Sequence, residues 1–183
     1  MKPLHLFTSI LWAAALATGS SPVLSQTQSA KPAIQTERAM SDRSHFSHQV
    51  SGPFEVKLAP QDMSAVAASS GLGRMSLDKR FHGALEATST GEMLAFRSAV
   101  SGSAGYVAME RVQGTLDGRA GSFVLQHSST MNRGAPSQSI TVVPDSGTDA
   151  LTGLIGRMVI DIAPGGAHSY RFEYSLPEAG VSP

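Results

Sequence analysis

The stretch Gly105–Thr130, GYVAMERVQGTLDGRAGSFVLQHSST, decides the fold. Two alternating runs flank Asp117-Gly118, a dipeptide that favours a type I′ turn because glycine tolerates positive φ without steric penalty. By the period-two rule Tyr106, Ala108, Glu110, Val112 and Leu116 share one face of the first strand. On the second strand Phe123, Leu125 and His127 share a face. If Asp117-Gly118 is the whole loop, Leu116 pairs with Arg119, Glu110 faces Leu125 and Ala108 faces His127. Glu110 and His127 are then diagonal neighbours, about 7 Å apart or somewhat less between Cβ atoms. A four-residue loop, Asp117–Ala120, would set them directly opposite at about 5 Å. Either register keeps them on one face, and only an odd loop or a bulge parts them.

The rest of the chain reads as more of the same. It has 183 residues, 41% hydrophobic, with 18 glycines and 10 prolines, a composition that excludes disorder and suits a turn-rich β protein. Fourteen basic residues balance fourteen acidic ones. No global field therefore recruits nucleic acid or an anionic membrane. The absence of cysteine removes disulfides, thiolate metal sites and cysteine nucleophiles.

Lys2 precedes an apolar run, Leu4–Ala17, followed by small and polar residues with Val23 and Ser25 at the −3 and −1 positions of a cleavage site before Gln26. A membrane-spanning helix needs roughly 20 apolar residues and a secretory leader about 7–15. The expectation is a signal peptide over 1–25 and an exported protein, periplasmic or secreted, with no stable membrane insertion once the leader is gone. A membrane anchor or a buried N-terminal helix is the alternative. Residues 26–49 read as a flexible linker, 50–178 as the folded domain and 179–183 as a tail.

Within the domain, Phe54–Leu58 opens as a short alternating strand, and Ser64–Ser70 as a helical turn in a connector from Pro60 to Gly73. Met75, Leu77, Phe81 and Leu85 recur at even intervals, as in one half-buried strand. Lys79 interrupts that phase and is expected at a strand end or snorkelling outward. Thr88–Gly91, Ser101–Ser103 and Asp145–Asp149 read as turns, and Asn132–Ser137 as a loop. Ser139–Val143, then Met158–Ile162, then His168–Leu176 complete the strands; the last alternates most clearly, with His168, Tyr170, Phe172, Tyr174 and Leu176 on one face. The fold class is all-β: a single antiparallel β-barrel of about seven or eight strands, since closure removes both exposed edges. A two-sheet sandwich is the other solution.

Glu110-Arg111, Gly114–His127 (GTLDGRAGSFVLQH), Val143–Thr148 (VPDSGT), Leu151–Gly156 (LTGLIG) and His168–Tyr174 (HSYRFEY) resemble the bacterial domain-of-unknown-function family 3224, DUF3224. The likeness runs over about Phe54–Leu176, and Gly114–His127 is its specific part. Ser129 and Asp149 stand where the family pattern leads one to expect glycine. The resemblance implies a small barrel of the allene oxide cyclase type. It implies no reaction, and fold analogy does not carry function.

Chemistry therefore rests on side chains. A carboxylate and an imidazole inside a barrel shift each other's protonation, and such pairs concentrate at functional sites. Glu110 and His127 are the candidate catalytic residues and, with Tyr106, Phe123 and Tyr170, the candidate ligand-binding set. A buried structural ion pair is the competing reading. His82, His127 and His168 come from separate strands, but His82 falls out of phase, and His45 with His48 lacks a third ligand, so no metal site is expected. No nucleophile elbow or phosphate loop occurs, and no cofactor is expected. Three functions remain open: binding of a small, largely apolar ligand in the barrel, a cyclase or isomerase using Glu110 and His127 as acid and base, and an interaction module around a filled barrel. Oligomeric state is undetermined.

Overall fold

The computed structural model describes residues 46–177. The leader, most of the linker including His45, and the tail lie outside them. Eight strands follow in chain order: β1 (His48–Pro60), β2 (Gly73–Phe81), β3 (Leu85–Arg97), β4 (Ala104–Leu116), β5 (Arg119–Asn132), β6 (Ala135–Val142), β7 (Ile155–Ile162) and β8 (His168–Ser175). Each pairs antiparallel with the next, and β1 also pairs with β8, so the sheet closes into a barrel and the sandwich is excluded. Between β1 and β2 lies one short helix, α1 (Ala65–Ser69), with the Ser64 hydroxyl accepting from the Ala67 amide as N-cap at 3.3 Å.

The central hairpin takes the tighter of the two registers. Leu116 pairs with Arg119, Glu110 with Leu125 and Ala108 with His127. Asp117 (φ 48°) and Gly118 (φ 77°) form the whole loop. Their left-handed conformations match a type I′ turn. Tyr174 on β8 donates its hydroxyl to the Asp117 carboxylate, and the Asp117 amide donates to the Ala84 carbonyl at 2.8 Å. The turn is thereby tied to two other parts of the wall. Burial of the phenol and the adjoining Asp117 carboxylate both push Tyr174 ionisation upward.

Four local expectations are corrected. Thr88–Gly91 is not a turn but the middle of β3, paired on both sides; Thr88 and Thr90 face outward, as β-branched residues do readily in a strand. Conversely, Met75–Leu85 is not one strand. His82–Ala84 turns the chain between β2 and β3, with Gly83 at φ 101°. The two segments keep the same parity, so sequence alternation ran unbroken across a real corner. Asn132–Ser137 is a tight hairpin at Arg133-Gly134, with β6 starting at Ala135. Finally, the barrel wall begins at His48, ahead of both Phe54 and the expected boundary at 50, because β8 supplies the partner that makes His48–Phe54 a strand.

One end of the barrel is plugged. After β6 the chain folds over it, and a 3-10 turn at Asp149–Leu151 pushes Leu151 and then Leu154 inside, each 1% exposed. They join Leu85, Val112, Leu116, Phe123 and Phe172 in the larger core cluster. Phe172 stacks between Phe123 (centroids 5.7 Å apart) and Tyr174 (5.4 Å). At the other end the inward-phase residues stay partly exposed: Val56, Met75, Ala95, Tyr106, Ile160 and Met131. That end is a mouth. The two halves predict different sensitivities. Phe172→Ala, in the plugged half, should lose roughly 3–5 kcal/mol in a urea titration, and a loss under about 1 kcal/mol would contradict this packing.

Candidate functional site

Between the two apolar clusters lies a polar layer with one side chain from each of four consecutive strands. Lys79 comes from β2, Ser89 from β3, Glu110 from β4 and His127 from β5. All four are buried, and Glu110 is 1% exposed. Alternation puts each inward, because Leu77 and Phe81 flank Lys79, Ala87 flanks Ser89, Ala108 and Val112 flank Glu110, and Leu125 precedes His127.

Glu110 is the hub. Its Oε1 accepts from Lys79 Nζ at 2.8 Å and from His127 Nε2 at 2.9 Å, and its Oε2 accepts from the Ser89 hydroxyl at 2.9 Å. A carboxylate can only accept, so the histidine carries its hydrogen on Nε2. Burial alone would raise the Glu110 pKa. The His127 hydrogen bond and the Lys79 charge outweigh it and lower the pKa to about 2. The Lys79 ammonium also sits 5.5 Å from the Phe54 ring centroid and 5.8 Å from that of Phe81, within cation–π range.

Glycine makes the layer fit. Gly91 on β3 is paired with Glu110, and a Cβ there would lie 2.7 Å from both the Cα and Cβ of Glu110. Only a residue without a side chain lets β4 approach this closely.

His127 has one edge left over. Its Nδ1 makes no hydrogen bond among the described residues, while no fully buried side-chain nitrogen or oxygen there lacks a partner. The small residual exposure of His127 therefore includes Nδ1. Tyr106 is the diagonal neighbour of His127 across the small Ala108. Burial and the Glu110 charge both raise its pKa, with Ser129 alongside lowering it. His168, whose ring lies 5.2 Å from that of Phe54, completes the neighbourhood; burial and then the Lys79 charge lower its pKa.

Of the residues singled out in the sequence, Glu110, His127 and Tyr106 come together. Phe123 and Tyr170 do not join them. Phe123 stacks on Phe172 in the plugged half. Tyr170 packs edge-on to Phe81 and spends its hydroxyl on backbone, donating to the His82 carbonyl at 3.0 Å and accepting from the Leu85 amide at 3.2 Å. Lys79 overturns the expectation of an outward or strand-end lysine. Its odd-numbered phase with Leu77 and Phe81 was the available signal, discounted because a lysine rarely goes inside unpaired. Ser89 was hidden by the turn reading of Thr88–Gly91. Arg111, on the outer face, donates to the Ser122 hydroxyl at 3.1 Å. Among the described residues no cluster of three His, Asp or Glu is arranged to hold a metal. Two surface hollows, of about 280 and 560 Å³, lie outside the polar layer, beside Phe46–Gln49 and along β1 and β8.

The family model for proteins of unknown function, DUF3224, matches residues 50–174. The chain belongs to the DUF3224 family. Among solved structures it is similar to a DUF3224 protein of unknown function from Shewanella oneidensis MR-1, at 51% identity and a TM-score of 0.67. That match covers 72% of this chain and 98% of the other. No curated protein matches. This DUF3224 barrel therefore has its fold shared and its chemistry to be read from its own side chains.

The polar layer makes two linked predictions. Removing one partner of a buried ion pair costs roughly 3–5 kcal/mol, whereas replacing both by apolar residues is often neutral. Glu110→Gln should therefore destabilise the barrel by that amount, and Lys79→Met with Glu110→Leu should recover most of it. Equal losses in urea titrations of the two variants would contradict the assignment. The pH dependence has a definite sign. The folded pKa of Glu110 lies below its unfolded value of about 4.3, so its stabilisation is complete above that value and is lost as pH falls toward about 2.

Proposed function

We propose that this protein binds a small, largely apolar ligand at the open end of the barrel, seated over His127 and Tyr106. The observation that carries the reading is the Nδ1 of His127, which makes no hydrogen bond among the described residues and belongs to a buried polar layer beneath inward-phase apolar side chains that solvent still reaches. A concave, apolar site with a few convergent polar groups is the usual form of a small-molecule site. The plugged end leaves the mouth as the side from which a ligand arrives. Glu110 does not touch the ligand in this reading, because both its oxygens are already engaged. It orients His127.

An acid–base role for the Glu110–His127 pair has one feature in its favour, since the carboxylate engages Nε2 of the imidazole and leaves Nδ1 without a hydrogen bond among the described residues. Lys79 counts against it. The ammonium shares Oε1 with His127 and draws off the negative charge that would otherwise strengthen the base. An interaction module is favoured by a separate observation. Leu94, Phe96, Val107 and Met109 form an exposed apolar patch on the outer wall of β3 and β4, and such patches often mark contact surfaces. We also propose export, on the leader expected over 1–25. N-terminal sequencing of the cell-exported protein should then begin at Gln26, and an intact Met1 would reject it.

Binding is checked with the neutral apolar dye Nile red. Its fluorescence should rise saturably with wild-type protein, and Ala95→Trp, which fills the mouth from β3, should abolish the rise. Leu94→Ala, on the outer wall one residue away, should leave it intact. A wild-type protein that gives no saturable signal, or an Ala95→Trp variant that gives the same one, defeats the reading.

A further inference from the structure

The barrel wall is joined unequally. Seven of its eight junctions are ladders of seven or more residue pairs, whereas β6 and β7 share two, Ile140–Met158 and Thr141–Arg157. The Val143 amide donates to the opposite Val124 carbonyl at 2.9 Å. Odd-numbered residues of β6 therefore bond β5, and even-numbered ones turn their backbone groups to β7. At the register of Ile140–Met158, the next rungs toward the mouth would join Gln138 to Ile160 and Pro136 to Ile162. Neither is in the ladder.

Two side chains explain the interruption. A proline has no N–H to give. Gln138 meets Ile160 with its side-chain amide, which donates from Nε2 to the Ile160 carbonyl at 2.8 Å and accepts at Oε1 from the Ile160 amide at 2.9 Å. All of Ala135–Ser139 is exposed, although Pro136 and Gln138 share the inward parity of Ile140 and Val142. Each strand is held along its other side, β6 by β5 and β7 by β8. The connection between them is anchored at the plugged end, where the Thr148 amide donates to the Ser122 carbonyl at 2.9 Å and Leu151 and Leu154 are buried.

We propose that the β6–β7 seam is a lateral gate in the barrel wall and that Gln138 is its latch. Releasing the two Gln138 bonds lets the strands part from the mouth down to Ile140–Met158, while the plug and the β1–β5 wall stay closed. Two exposed hydrogen bonds to one side chain are a weak tie beside a full ladder. Parting there widens the mouth sideways, whether or not a ligand enters.

Residue-resolved hydrogen exchange of the whole protein tests the latch. In wild type the Ile160 amide should exchange well ahead of the amides of β4 and β5. Gln138→Ala should speed Ile160 by roughly tenfold or more and leave β4, β5 and the urea midpoint nearly unchanged. Gln138→Glu, which can still accept from the Ile160 amide but cannot donate to its carbonyl, should fall between. An Ile160 amide as slow as those of β4 and β5, or a Gln138→Ala variant that leaves it unchanged or speeds the whole barrel equally, overturns the proposal. The parting itself is read from a spin-label pair at Ser137→Cys and Asp161→Cys, one on each exposed lip of a chain with no other cysteine. A second, longer distance should gain population several-fold in Gln138→Ala. A single distance, the same with and without the latch, would mean that the wall does not open here.

Discussion

The Glu110 carboxylate is the constraint around which the barrel is arranged. A charge buried this far from water persists only when its partners replace the lost hydration. Three groups do so here, the Lys79 ammonium, the His127 ring N–H and the Ser89 hydroxyl, and they arrive from the two neighbouring strands β3 and β5 and from β2 beyond. Satisfying one carboxylate therefore demands that β2, β3, β4 and β5 hold one relative register. A slip of one residue in any of them would send its polar group to the outer face and strand the others. The layer specifies alignment at least as much as it adds stability.

Backbone shape is subordinate to that requirement. Gly91 gives up its side chain so that β4 can pass close to β3 at Glu110 itself. On the far side of the layer the barrel is packed shut by Leu151, Leu154 and the aromatic stack of Phe123, Phe172 and Tyr174. Toward the mouth the packing thins to Leu77, Met93 and Ala108 with their part-exposed neighbours. The polar layer thus divides a densely packed half from a half whose inward side chains solvent still reaches. The His127 Nδ1, which makes no hydrogen bond among the described residues, belongs to the histidine that Glu110 orients.

The family and the closed-barrel expectation agree with the DUF3224 match and with the pairing of β1 to β8. The central hairpin was legible down to its register, because Asp117-Gly118 is a local signal and alternation then propagates it along both strands. Local signals misled where composition and context disagreed. Thr-Ser-Thr-Gly looks like a turn, yet its threonines suit a strand and its glycine answers a neighbour far away in sequence. The corner at His82–Ala84 was invisible because it preserved parity. Lys79 was misplaced for a sound reason: an isolated lysine belongs outside, and nothing within its own strand announces the carboxylate that brings it in.

The sequence by itself determined the alternation of the strands, the turn at Asp117-Gly118 and the placing of Glu110 and His127 on one inward face. These depend on neighbours close along the chain or on a single short loop. Closure of β1 on β8, the plug at one end, and the gathering of Lys79 and Ser89 onto Glu110 were decided only in three dimensions. Each joins residues whose separation along the chain carries no periodic signal, and which of them meet depends on how many strands close the barrel. The free edge of His127 belongs to this second group, since an unpaired nitrogen can be recognised only after every other partner has been placed.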